Sequence, residues 1–414
     1  MMKKIISIVA FGILSFILGA ASGAIVWLIL KIMDLGIEFF WTWLPEKFNA
    51  DGSLIYFMTV CLIGGCLIGL WQKKYGLLPD ELPVVLGKIH KDGRYPYDNL
   101  HILAVSALLP LIFGGALGPE AGLTGIIAGL CCLVGDRLRY KGEKVAALAE
   151  TGMSATLGVI FGSPLFGIID SLEPDNENEH YKAKLVDKKT RIFVYVCGVA
   201  GGMLIVKGLT AVLGGGMGLS RFDRAHGYGI EQWKWIIPLI LAGIAGAFIY
   251  LIFNKLTSMI GNKLKDHIIV RCMLGGAVLA LVGWYVPLTM LSGETDMGTI
   301  MADWQTMSVS VLFVIAVCKL FLVNFCLNMG WRGGSIFPII FSGVAIGFAF
   351  ALMTGMDGAY AVAVVCGAIY GYIMRKPVTV IAVLLLCFPV TYIVPLGISA
   401  FIASKIPMPR CLVE

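Results

Sequence analysis

The chain alternates long apolar stretches with short charged ones, and several apolar stretches are too long for strands. The uncharged runs Ile5–Leu30, Leu54–Gln72, Ile236–Phe253, Met273–Leu291 and Pro377–Ser404 are each long enough to cross about 30 Å of hydrocarbon as a helix. Charges gather at their ends. Asp34, Glu38, Glu46 and Asp51 stand against Lys47 on one side, whereas Lys3, Lys4, Lys73 and Lys74 flank the opposite ends. The excess of lysine there predicts a cytoplasmic amino terminus. Met1-Met2-Lys3-Lys4 before an apolar run is similar to a signal peptide, but no cleavage site follows and many further apolar segments do, so this run is read as an uncleaved first helix. The one strongly hydrophilic internal stretch, Glu173–Arg191, is expected as a loop outside the membrane. A glycine-rich break from Gly214 to Gly229 is read as the junction of two halves, residues 1–215 and 216–414.

Composition turns these runs into a class. With 414 residues, 58% hydrophobic and 14% charged, and a mean hydropathy of +0.87, the chain has too little polar surface for a soluble fold. It is expected to be an all-α polytopic membrane protein with lipid as its main solvent. The net charge of +6 is modest, and no basic run is dense enough to suggest nucleic-acid binding. The eleven cysteines, among them Cys61, Cys66, Cys131 and Cys132, lie mostly inside apolar runs and read as small buried apolar residues. The five histidines, His90, His101, His180, His226 and His267, are scattered. No metal or nucleophile spacing appears, so neither a cofactor nor an enzymatic activity is expected. Fifty-one glycines suit membrane helices whose backbones approach closely.

Internal repetition changes the picture further. Gly114-Gly115-Ala116-Leu117-Gly118-Pro119 matches Gly333-Gly334-Ser335-Ile336-Phe337-Pro338, and each opens an apolar run. A second pair, Ser163-Pro164-Leu165 and Lys376-Pro377-Val378, follows in the same order at nearly the same offset. Two pairs in register indicate duplication. Proline costs nothing in the first turn of a helix, where its missing N–H has no intrahelical partner anyway. Each motif therefore marks a helix start. A start within the membrane directs backbone N–H groups and the positive end of the helix dipole at whatever precedes it. Glycine lets that backbone come close to an ion. Two facing half-helices are thus a plausible anion site that needs no cationic side chain, the alternative being two ordinary helix starts at the membrane surface.

These segments resemble the CLC chloride channels and transporters. GGALGPEAG at 114–122 is similar to that family's GREGP signature and GGSIFPIIFSG at 333–343 to its GxFxP signature. Phe161–Glu173 resembles the helix ending in a pair of glutamates, Arg375–Pro395 the penultimate helix, and Tyr75–Pro79 stands where GSGIP is expected. The resemblance implies a CLC-like inverted repeat of tilted and half-spanning helices. It also implies a homodimer with one pathway per subunit and multi-pass residence in the cell (inner) membrane; some members append a cytoplasmic domain, but with ten residues beyond Ser404 none is expected after the last helix here. The implied anion contacts are the backbone at Ser335, Ile336 and Phe337, facing Leu117 and Gly118. Gly76 replaces the family's serine, and Tyr392 lies nearest to its pore tyrosine.

The acids depart from the family pattern. Leu117 stands where the gating glutamate is expected, and Glu120, directly after Pro119, is the gating candidate because the dipole favours a carboxylate there. Pro174 stands at the position of the internal proton-route glutamate. Glu173, Glu150 and Asp170 are other acids in apolar settings. The resemblance looks closest to a divergent bacterial branch reading GPE in place of EGP. The leading expectation is passive transport of small inorganic, chloride-like anions. A proton-coupled exchanger using Glu120 and a non-transporting scaffold or sensor remain the alternatives.

Overall fold

The computed structural model describes residues 2–92, 94–138, 143–160, 188–214, 221–222, 228–385, 387–409 and 412. The described elements are helical, in the order α1 (Met2–Glu38), α2 (Leu44–Phe48), α3 (Leu54–Tyr75), α4 (Leu82–Asp92), α5 (Leu100–Ile112), α6 (Glu120–Arg137), α7 (Glu143–Ile160) and α8 (Lys188–Leu213). Then come α9 (Ile236–Lys263), α10 (Ile268–Tyr285), α11 (Glu294–Asp303), α12 (Val309–Asn328), α13 (Ile336–Thr354), α14 (Gly358–Met374), α15 (Pro377–Leu384) and α16 (Ile393–Lys405). Seven helical stretches among the described residues are long and apolar enough to cross a membrane. Others are not: α15, with eight residues, extends only about 12 Å at roughly 1.5 Å per residue. The mixture of full-length and short apolar helices is the architecture expected from the paired motifs.

Chain contacts form two compact units. The first holds residues 1–36, 78–108 and 119–218, the second residues 37–77, 109–118 and 219–414. In the first, α1 packs backbone to backbone on α8. A Cβ added at Gly19 would stand 1.9 Å from the Gly198 carbonyl oxygen, and one at Gly201 2.2 Å from that of Phe16. Only glycine permits such contact, which supplies dispersion where no hydrophobic drive separates lipid from protein. The first unit also buries Glu150, whose carboxylate accepts the Tyr195 hydroxyl. Near its polar ends Asp80 accepts from Lys88 at 2.5 Å and Tyr95 at 3.0 Å, and Asp136 accepts from Arg94 and Tyr97.

In the second unit α3 packs antiparallel on α10 by the same device: a Cβ at Gly276 would lie 2.2 Å from the Cys61 oxygen. Helix α13 is different in kind. Of its most apolar window 83% is buried inside the protein, against 33% for α3, so α13 is an interior helix whose apolar character serves packing and not lipid. Side chains cap α12 and α14, where Ser308 accepts the Val311 N–H at 3.3 Å and Asp357 that of Tyr360 at 2.7 Å.

Three expected boundaries move. The run Met273–Leu291 is not one span: α10 begins earlier, at Ile268, and stops at Tyr285, ahead of Pro287, because proline disfavours helix in the residue before it. Pro377–Ser404 is likewise not one span: it divides between Leu384 and Ile393, around Pro389, whereas Pro395 sits inside the first turn of α16, where a proline is tolerated. Lys188–Arg191, expected as loop, form the first turn of α8. The rest of that loop, Ser163-Pro164, Asp170, Glu173, Pro174 and the junction at 215–216 lie outside the described residues.

Candidate functional site

Both glycine motifs form sharp turns in the second unit. After α5 the Gly115 N–H donates to the Pro110 oxygen at 2.8 Å and that of Leu117 to Gly115 at 2.8 Å. Gly114 has φ +92, a left-handed conformation that favours glycine. After α12 the chain turns through Gly330, φ +93, and the Trp331 N–H returns to the Cys326 oxygen at 2.9 Å. The indole of the fully buried Trp331 donates to the Cys272 oxygen at 2.9 Å.

The turns then meet. Gly118 N–H donates to Gly334 O at 2.8 Å and Gly334 N–H to Gly118 O at 2.6 Å, the one isolated β-bridge among the described residues. Gly333 must be glycine for this approach, since a Cβ there would stand 2.7 Å from that of Leu117 and 3.0 Å from Gly118 O. Directly after the bridge each strand of chain enters a helix: Pro119 precedes Glu120, the first residue of α6, and Ser335 is the N-cap of α13. The α13 start is interior, with Ile336 7% and Phe337 1% exposed.

The sequence-expected residues divide accordingly. Ser335, Ile336 and Phe337 form the start of a buried helix. The N–H groups of Leu117 and Gly118, expected to face an ion, are engaged by Gly115 and Gly334 within the protein. The bridge forms because two extended glycine segments side by side satisfy each other's backbone. Glu120 is 1% exposed at the first position of α6. Gly76 is an exposed helix-ending residue of α3 with φ +86. Tyr392 is fully buried, but its hydroxyl donates to Asp357 at 2.9 Å, anchoring the N-cap of α14. The tyrosine that reaches the α13 start is Tyr370, whose hydroxyl donates to Ile336 O from α14.

Lys319, missed in the sequence although it is the only basic residue in the run Val309–Asn328, is fully buried on α12. Its ammonium donates to the carbonyls of Thr289, Met290 and Leu291 at 3.1, 2.9 and 2.8 Å and lies 5.0 Å from the Phe341 ring centroid. Leu291 in turn donates to Gly114 O at 3.1 Å, so the cation braces the loop that holds the first glycine turn. On α11, burial pushes the Asp296 carboxyl above its ordinary value, with the Lys319 charge acting in the opposite direction.

The family described as voltage gated chloride channel matches residues 60–407, a range that holds both glycine turns and the bridge between them. The chain belongs to the voltage-gated chloride channel family. Proteins of similar sequence include the YfeO proteins, named for ion transport, of Shigella sonnei (strain Ss046), 27% identical over 338 residues, and of Escherichia coli O1:K1, 27% identical over 339 residues. Each match covers 80% of this chain and 76% of the relative. Two solved structures share its fold. A slow cyanobacterial Cl−/H+ antiporter superposes with a TM-score of 0.79 at 16% identity, covering 95% of this chain and 93% of that one. A CLC-type fluoride/proton antiporter does so with a TM-score of 0.75 at 16% identity, covering 96% and 95%.

Proposed function

We propose that this chain is a passage for small inorganic anions, chloride or similar, and that movement through it is passive and not coupled to protons in a fixed ratio. The observation that carries the reading is the reciprocal Gly118–Gly334 pairing, which fixes two glycine turns edge to edge beside the buried start of α13. A helix start presents N–H groups and a positive dipole end to an anion, and in a low-dielectric interior that attraction is strong. Membership in the voltage-gated chloride channel family supports anion transport as the broad function. The two neighbouring structures are proton antiporters by title, which makes coupling the point to test. Coupling needs a titratable group that alternates between ion and water. Leu117, at the position implied for the gating acid, cannot be one, whereas Glu120 is the acid that controls access in this reading. The protein acts as a homodimer with one pathway in each subunit, amino terminus in the cytoplasm, in the cell (inner) membrane.

The test uses the purified chain in liposomes with an imposed chloride gradient, clamped voltage and a pH indicator. Chloride flux without sustained uphill proton movement is expected, and Glu120→Gln raises the flux or removes its pH dependence. Proton movement in fixed ratio to chloride overturns the passive reading, and its loss in E120Q would assign the coupling to that acid. Absence of flux with chloride, fluoride and nitrate alike would favour a scaffold or sensor.

A further inference from the structure

Arg271, on the first turn of α10, has no part in the site described above. It is only 8% exposed, its Nε has no acceptor, and among the described residues no carboxylate lies within ion-pair distance of it. The side-chain partner it has is the neighbouring Cys272 thiol. Lys319 is the contrast: equally interior, it has every ammonium proton on a carbonyl. A guanidinium stays protonated in proteins, and a buried charge without a counter-charge or full hydrogen bonding is costly. An anion against Arg271 relieves that cost.

Its surroundings lead toward the site. The point where a Cβ of Gly330 would stand is 3.1 Å from Arg271 Nη2 and 3.0 Å from both Cys272 Sγ and Gln72 Oε1. Gln72 Nε2 donates to Gly330 O. Gly330 thus bends beneath a small polar cluster, and the chain then runs through Trp331 and Arg332 to Gly333 and the bridge at Gly334. Gln72 is one turn from Gly76, and Lys73 and Lys74 beside it are exposed, which marks this as the end of the second unit that the lysine bias assigns to the cytoplasm.

We infer that Arg271 is an anion-binding residue, at which a small monovalent inorganic anion is held before the glycine bridge. The inference rests on the transport reading for its purpose but not for the binding itself. A planar guanidinium offers paired N–H groups, so a planar oxyanion such as nitrate is held at least as well as chloride.

The experiment compares the full chain with Arg271→Met and Arg271→Lys. In liposomes the chloride concentration for half-maximal flux is expected to rise about tenfold or more in R271M, the worth of a charge-assisted hydrogen bond, and about threefold in R271K, which keeps the charge on a different geometry. In parallel, thermal unfolding of each purified protein in detergent is followed in gluconate against chloride and nitrate. R271M is expected to be no less stable than the wild type in gluconate and to gain less from either anion. Should R271M not assemble, R271K decides by the same two measurements. Unchanged half-saturation and an unchanged anion response in the folded variants overturn the assignment. A wild type without flux that still loses its anion response on R271M would sink the transport reading and leave the binding site standing.

Discussion

Replacing Lys319 by methionine tests whether an interior cation holds the site together. The substitution nearly preserves length and apolar volume, so little cavity or overpacking is expected. It removes three hydrogen bonds, to Thr289, Met290 and Leu291 at 3.1, 2.9 and 2.8 Å. Bonds to a charged group contribute about 1.5–3 kcal/mol each, and the gross loss is offset in part because a buried ammonium is itself expensive. Removing one side of a buried charged arrangement costs about 3–5 kcal/mol, and carbonyls tolerate a missing partner better than a charge does. A net loss of about 3 kcal/mol follows. Because the released loop carries the Leu291-to-Gly114 bond, the same change should loosen the first glycine turn. The assay is hydrogen exchange at the Leu291 amide together with thermal unfolding in detergent. A local loss of about 3 kcal/mol corresponds to roughly hundredfold faster exchange if that amide exchanges through the opening the lysine restrains. Chloride flux should fall with it. A K319M protein whose stability stays within about 0.5 kcal/mol of the wild type, with Leu291 as protected as before, would show that the three carbonyls do not depend on the lysine.

Gly333→Ala places a Cβ 2.7 Å from that of Leu117; overpacking of this kind costs about 1–3 kcal/mol, so the thermal unfolding temperature and the chloride flux should both drop. Tyr370→Phe removes the hydroxyl on Ile336 O and should alter flux or anion selectivity at a cost of about 1 kcal/mol, whereas Tyr392→Phe, which frees only Asp357, should cost similar stability and leave selectivity unchanged. Equal effects of the two on selectivity would contradict the placement of Tyr370 at the α13 start. For Asp296, whose carboxyl burial raises, the folded state binds its proton more tightly than the unfolded state. That contribution is fully present below the ordinary carboxylate pKa and is lost as pH rises through the folded value, so Asp296→Asn should flatten this part of the stability profile above about pH 4. An identical profile in D296N would exclude it.

Much of the architecture could be read from local chemistry. Uncharged runs such as Leu54–Gln72 and Ile236–Phe253 had to become helices, since a backbone in hydrocarbon can pair only with itself. The two Gly-Gly motifs ending in proline announced helix starts through rules that act within a few residues, and they also carried the family resemblance. Lys319 was equally legible as a lone charge in an apolar run, although its role was not. What stayed hidden depends on partners distant in the chain. Hydropathy cannot separate α13 from α3, because the protein interior and lipid are alike apolar and only packing distinguishes a helix buried at 83% from one at 33%. Tyr370 and Tyr392 both occupy apolar helical surroundings, and which hydroxyl meets Ile336 follows from how α14 lies against α13. The Leu117 and Gly118 N–H groups looked available for an ion because a helix start leaves donors over; that of Leu117 is engaged locally by Gly115, and that of Gly118 because Gly334, far along the chain, is brought opposite. Local sequence thus determined which segments are helices, where they begin and which family they serve, through forces of short range along the chain. The tertiary structure alone decided which donors and charges find partners within the protein, because a hydrogen bond between distant segments exists only once the helices between them have packed.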